Sequence, residues 1–181
     1  KRQACGGGLL VEALSKFGAN VTGIDISDVA INTAQIHAEK TNCDVTYIHG
    51  EAEDLLPEKK EQFDVVTCLE AIEHVPDPQQ LVKTCSELCK PGGTIVFSTI
   101  NRNPKSFLFA IIGAEYILNL LPKGTHEFKK FLKPSELSNM MRNSNLEVKE
   151  IIGMSYNPLT KKYWLGKDVD VNYMIHAEKS K

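Results

Sequence analysis

Glu70, Glu73 and His74 lie close together in the string TCLEAIEH (67–74). At spacings i, i+3 and i+4, a single helical turn would carry all three on one face. Two carboxylates and an imidazole converging there would suit a divalent cation, Mg²⁺ or Zn²⁺. A second reading makes His74 a direct general base with no metal. A third gives the acids no chemical role, since the first turn of a helix favours negative charge. His126, in PKGTH (122–126), is the candidate for a further metal ligand or orienting group. His37, His49 and His176 lack such surroundings and read as packing or surface residues.

The elements that must position this cluster can be followed along the chain. FDVVTCL (63–69) is a continuous apolar run, typical of a parallel strand covered on both faces, and the acids follow its carboxyl end. Before it, CGGGLL (5–10) runs into a helical stretch, Leu9 to Phe17. Glycines at such a turn let backbone N–H groups approach a ligand, so Gly6 is a candidate cofactor contact. Asp25 ends the strand NVTGID (20–25), where a carboxylate can accept hydrogen bonds from ribose hydroxyls. Its other reading is a cap for the helix that starts near Ser27 and runs to about Lys40. DVTYIHG (44–50) reads as a strand, and GEAEDL (50–55) as a loop facing an adenine edge or solvent. Gln79 to Cys89 is helical, KPGG (90–93) ends it, and TIVFSTIN (94–101) is a strand. This β-α-β-α order predicts a doubly wound, mostly parallel sheet. Beyond it come helical stretches at 106–121 and 134–143, then strands near 146–153 and 170–178.

Composition limits the function classes. The 181 residues are 42% hydrophobic and 24% charged, which suits one globular domain over 1–181. A net charge of −2 gives no global basic field and argues against nucleic acid. Cys5, Cys43, Cys68, Cys85 and Cys89 form no C-x-x-C pair, a pattern suited to a reducing cytosol.

The order CGGG, VTGID, FDVVTCLEAIEHV and LCKPGGTIVFSTIN resembles the class I S-adenosylmethionine-dependent methyltransferases. FSTINRNPKSF, GAEYILNLLPKGTH, KFLKPSEL, GMSYNPLT and DVNYMIHAEK closely resemble the bacterial ubiquinone-biosynthesis O-methyltransferase family, which methylates polyprenylated phenols and catechols. The resemblance spans essentially the whole chain and implies a Rossmann-like fold with S-adenosylmethionine as methyl donor. It implies cofactor contacts at Asp25 and at Leu69, lying under the adenosylmethionine. Ala4 stands where the family's glycine string begins with glycine, and Lys1, Arg2 and Gln3 replace its first strand and aspartate. The chain is therefore expected to lack an N-terminal segment and to begin inside its own cofactor motif. Similar E-x-x-E-H strings occur in metal-assisted methyltransferases acting on RNA 2′-hydroxyls. A cation chelated by both catechol oxygens would lower a phenolic pKa near 10 and orient the attack (tyrosine as the guide). An RNA or other small-molecule methyltransferase and a non-catalytic nucleotide-binding module are the competing readings. A nicotinamide fold is disfavoured, because CGGG is not G-x-G-x-x-G.

One segment stands apart. Within the insert 104–133, Phe107, Phe109, Ile111, Ile112, Tyr116, Ile117, Leu120 and Leu121 precede Lys123, Lys129, Lys130 and Lys133. Its apolar stretch is shorter than the about 20 residues of a bilayer span. An apolar helix beside lysines suits an interfacial element on anionic lipid, and equally a lid packed on the core. The expected partners are a polyprenylated phenol or catechol, an anionic membrane surface and other ubiquinone-biosynthesis proteins. The expected location is cytoplasmic, at the periphery of the inner membrane.

Overall fold

The structure is a computed structural model that describes residues 5–107, 128–157, 160 and 162–181. Ala4, His126 and the apolar stretch from Leu108 to Leu121 lie outside the described residues. The chain forms two compact units, one ending at Glu58 and one beginning at Lys59.

The first unit is an α-β-α-β arrangement. Helix α1 (Leu9–Lys16) leads to strand β1 (Thr22–Asp25), helix α2 (Asp28–Thr41) and strand β2 (Thr46–His49). β1 and β2 pair in parallel, with Asp25 opposite His49. α2 begins where Ser27 accepts a hydrogen bond from the Ala30 N–H, and ends at Asn42, whose φ of 51° is left-handed. Ile31, Ala34 and Ala38, at helical spacing, form its buried stripe. Glu12 of α1 is only 3% exposed. Its carboxylate accepts from His37 Nδ1 at 2.6 Å and from Thr41 Oγ1 at 2.9 Å, joining α1 to α2. His37, expected to be an ordinary residue, thus has a structural partner.

The second unit opens with the short helix α3 (Leu56–Lys59), which straddles the division. It continues through β3 (Phe63–Leu69), α4 (Pro78–Leu88), β4 (Cys89–Ile100) and the single turn α5 (Pro104–Ser106). α6 (Pro134–Arg142), β5 (Leu146–Asn157), β6 (Lys162–Gly166) and β7 (Asn172–Lys179) complete it. Its sheet has the order β3-β4-β7-β5-β6. Only β3 and β4 pair in parallel there; β7 is antiparallel to its neighbours β4 and β5, and β6 is antiparallel to β5, so β3, β4 and β5 share one direction and β6 and β7 oppose it. The parallel expectation therefore holds for the two β-α-β passages, and the insertion of β7 between β4 and β5 makes the sheet mixed. KPGG falls within the range of β4, but the pairing with β3 passes from Cys89 to Thr94 across it, and β6 is a strand that the sequence pattern did not announce.

One face of this sheet carries the core. Ile95 and Phe97 of β4 and Tyr173 and Ile175 of β7 pack with Val82 and Cys85 of α4 and Leu137 and Met141 of α6. Tyr173 meets its polar requirement by donating from Oη to the Leu132 carbonyl at 2.9 Å. α4 starts with Asp77 accepting from the Gln80 N–H and Pro78 in the first helical turn. Ser86 Oγ donates to the Ser144 carbonyl at 2.7 Å, binding α4 to the end of α6.

The α1–α2 tie makes the first unit sensitive to acid. The hydrogen bond from His37 holds the Glu12 carboxyl below the usual glutamate range. Because its folded pKa is depressed, its stabilisation is present above the unfolded pKa and lost as pH falls through the folded one. Glu12→Gln is expected to flatten the acid limb of a stability–pH curve measured by urea unfolding and circular dichroism.

Candidate active site

The glycine turn and Asp25 form one hydrogen-bonded unit. The Cys5 N–H donates to the Ile24 carbonyl at 3.1 Å, laying the turn beside the end of β1. Gly6, with φ of 52°, donates its N–H to Asp25 Oδ2 at 3.0 Å. The Ser27 N–H donates to Asp25 Oδ1 at 2.8 Å. Asp25 is 1% exposed, so its carboxylate anchors both the turn and the start of α2. The capping reading of this acid is met here, because the Ser27 N–H at the start of α2 is one of its donors. A side chain built at Gly6 or Gly7 would meet no atom within 4 Å, leaving room for a ligand against the backbone. Gly8 differs: its φ is 83°, and a Cβ there would collide with Tyr47 Oη. These features of Gly6, Gly7 and Asp25 suit an adenosyl cofactor. Burial pushes the Cys5 thiol up to about 11, with Asp25 adding to the effect.

GEAEDL has a local role. Glu51 and Asp54 form a reciprocal capping box on the 3-10 turn Ala52–Leu55, with the Glu51 N–H bonded to Asp54 Oδ2 at 2.8 Å.

The acidic cluster sits at the carboxyl end of β3 but is not one helical face. β3 ends at Leu69, which is half-buried and paired with Ser98 of β4. Glu70 then adopts a left-handed φ of 50°, and a 3-10 turn occupies Ile72–His74. Glu70 Oε1 accepts from Ser98 Oγ at 2.8 Å, and its N–H donates to the same hydroxyl at 3.1 Å. Glu73 Oε2 accepts from Thr99 Oγ1 at 2.8 Å. Ser98 and Thr99 are successive strand residues, so their side chains point to opposite faces of the sheet. The two glutamates are thereby drawn apart. Among the described residues no three His, Cys, Asp or Glu side chains are grouped to hold a metal ion. Glu70, Glu73 and His74 as one ligand set do not fit a shared cation, because left-handed Glu70 breaks the helical spacing. His126, the fourth proposed ligand, is outside the described residues.

Glu73 and His74 do remain neighbours. Glu73 is 2% exposed, and its Oε1 has no hydrogen-bond partner among the described residues. His74 Nε2 lies 3.9 Å from that oxygen, with its side chain partly open to solvent. Burial raises the Glu73 pKa, partly offset by the Thr99 hydroxyl. The spacing argument missed Ser98 and Thr99. Their position at the carboxyl end of a central strand, where ligands of open α/β sheets gather, was the available signal.

Thr99→Val removes the hydroxyl donor to a buried carboxyl. It is expected to lower the stability of the second unit by about 1–3 kcal/mol in urea unfolding. Adding Glu73→Leu is expected to recover part of that loss, since replacing both partners removes the unpaired group.

The comparisons with known proteins agree with this layout. A family model described as a methyltransferase domain matches residues 3–97, just over half of the chain. The ubiquinone biosynthesis O-methyltransferase of Pseudomonas syringae pv. tomato is 59% identical over 173 residues, 96% of this chain and 75% of that protein. The protein of the same name from Marinobacter nauticus is 57% identical over 96% of this chain and 74% of its own length. Among solved structures, an S-adenosylmethionine-dependent methyltransferase of Thermotoga maritima, described as a possible histamine N-methyltransferase, is similar in fold. It superposes with a TM-score of 0.71 at 23% identity, covering 99% of this chain and 80% of that one. With this fold, glycine turn and acid, and with this identity over nearly its whole length, the chain belongs to the ubiquinone biosynthesis O-methyltransferases.

Proposed function

We propose that this chain transfers a methyl group from S-adenosylmethionine to a hydroxyl of a polyprenylated phenol or catechol in ubiquinone biosynthesis, the two units working as one methyltransferase domain. The observation that carries the reading is the high identity to proteins of that name across 96% of the chain. When bound, S-adenosylmethionine supplies an electrophilic methyl group on a sulfonium. Asp25 and the Gly6–Gly7 backbone would hold the ribose side of the cofactor, and Leu69 would meet its adenosyl group; Ala4, the other proposed contact, lies outside the described residues. The acceptor oxygen must be ionised to attack in line, and a phenol of pKa near 10 keeps its proton at neutral pH. His74 Nε2 takes that proton, and the neighbouring Glu73 oxygen steadies the charged ring. The proton moves from substrate oxygen to His74 as the new C–O bond forms and the C–S bond breaks.

A divalent cation is part of this reading in a reduced form. Mg²⁺ is commonly bound by one or two carboxylates, with substrate oxygens and waters completing the shell. Glu70 can provide such a carboxylate without Glu73.

The substrate's polyprenyl chain places it in a bilayer, and the reading includes attachment to the face of the inner membrane. Among the described residues no helix is long and apolar enough to cross a membrane. Phe107, 42% exposed, packs edge-on against Phe128 at 5.3 Å between ring centroids, and Phe128 against buried Phe131 at 5.8 Å. This aromatic run and exposed Lys129, Lys130 and Lys133 flank the apolar stretch and support its lipid-facing role.

The test is transfer of a labelled methyl group to a short-chain prenyl catechol. Asp25→Ala is expected to raise the KM for S-adenosylmethionine about tenfold or more through lost charge-assisted hydrogen bonds. His74→Ala is expected to lower kcat about 100-fold while leaving that KM nearly unchanged. Absence of transfer by the unaltered chain in a soluble, folded state would overturn the reading.

A further inference from the structure

We propose that the ribbon formed by β5 and β6 is a lipid-contacting finger whose occupant is an anionic bilayer surface. This deepens the membrane part of the proposed function and rests on it for its purpose. The last β5–β7 pair is Met154 with Asn172, but β5 continues with β6 alone through Ser155–Trp164, Tyr156–Tyr163 and Asn157–Lys162. A two-stranded ribbon therefore projects beyond the sheet. It does so at the end marked by Ile100, which pairs with Asn172, and Ser98, Thr99 and the glutamates lie at that same end.

The ribbon is apolar on one face, where Met154 and Tyr156 lie opposite Leu165 and Tyr163, and carries Trp164 beside Ser155, Asn157 and Lys162 on the other. Tyr163 and Leu165 share one face, 67% and 57% exposed, while Trp164 on the other is 52% exposed. Tyr156 stacks on Tyr163 with ring centroids 4.4 Å apart. Tyrosine and tryptophan suit the boundary of a bilayer, each having an apolar body and a polar tip. The charge is complementary as well: exposed Lys162 and Lys167 border the aromatic run. The nearby Asp168 and Asp170 are both engaged by Lys105, at 2.9 and 3.0 Å. β6 is also the edge strand of its sheet, and lysines on an edge oppose pairing with a second copy of the same strand.

Trp164 is the only tryptophan in the chain and reports directly on the contact. The full chain is mixed with phosphatidylcholine vesicles with and without phosphatidylglycerol. With the anionic vesicles, Trp164 emission is expected to shift to the blue and to be quenched by brominated acyl chains. Co-sedimentation is expected to weaken about fivefold for each of Lys162→Glu and Lys167→Glu. Tyr163→Ser with Leu165→Ser is expected to abolish the blue shift, while transfer to a water-soluble short-chain catechol and the far-ultraviolet dichroism are retained. Binding to vesicles with unshifted, unquenched Trp164 would overturn the ribbon's role and leave membrane association to another segment. Absence of vesicle binding by a chain that still transfers methyl groups would overturn the ribbon and the membrane reading, but not O-methylation. A blue shift that follows protein concentration without lipid, with dimers in sedimentation velocity, would make a second copy the occupant and overturn the proposal.

Discussion

A β-strand turns successive side chains to opposite faces, and at the end of β4 that alternation governs the acidic cluster. Ser98 and Thr99 each hold one glutamate, so two acids only three positions apart in the chain are committed to different faces of the sheet. Glu73 goes to the side of Phe97 and Tyr173, where α4 and α6 pack, and its surroundings are those of a core. Glu70 goes to the other side. The chemistry open to each differs accordingly: a buried carboxyl beside His74, and a half-buried one held by a hydroxyl and a backbone turn.

Asp25 plays a comparable part in the first unit. One carboxylate receives the N–H of Gly6 from the turn before α1 and that of Ser27 from the start of α2. The turn before α1 and the start of α2 thus depend on the same side chain, and altering it disturbs both at once.

Much of this was legible in the residues. The apolar run at 63–69 announced β3, the short stretch ending on Asp25 announced β1, and Ser27 announced the start of α2. These signals are local, carried by near neighbours in the chain. The rest depended on partners far away in sequence. The direction of β7 follows from its pairing with β4 and β5, which no periodicity encodes. The spacing of Glu70, Glu73 and His74 was counted along a helix, yet Glu70 has a left-handed backbone that non-glycine residues seldom adopt. The tie between Glu12 and His37 escaped notice because each looked ordinary beside its own neighbours.

The place of β7 within the sheet bears on how the second unit is assembled during synthesis. β4 pairs with β3 and β5 with β6, but the strand that joins these two pairs, β7, is made after all of them. A ribosome releasing the chain from its N-terminus therefore exposes the edges of β4 and β5 until residues 172–179 emerge. During that interval the apolar side chains of Ile95 and Phe97 lack the strand that completes their layer, so the nascent chain passes through a stage open to chaperones and to aggregation.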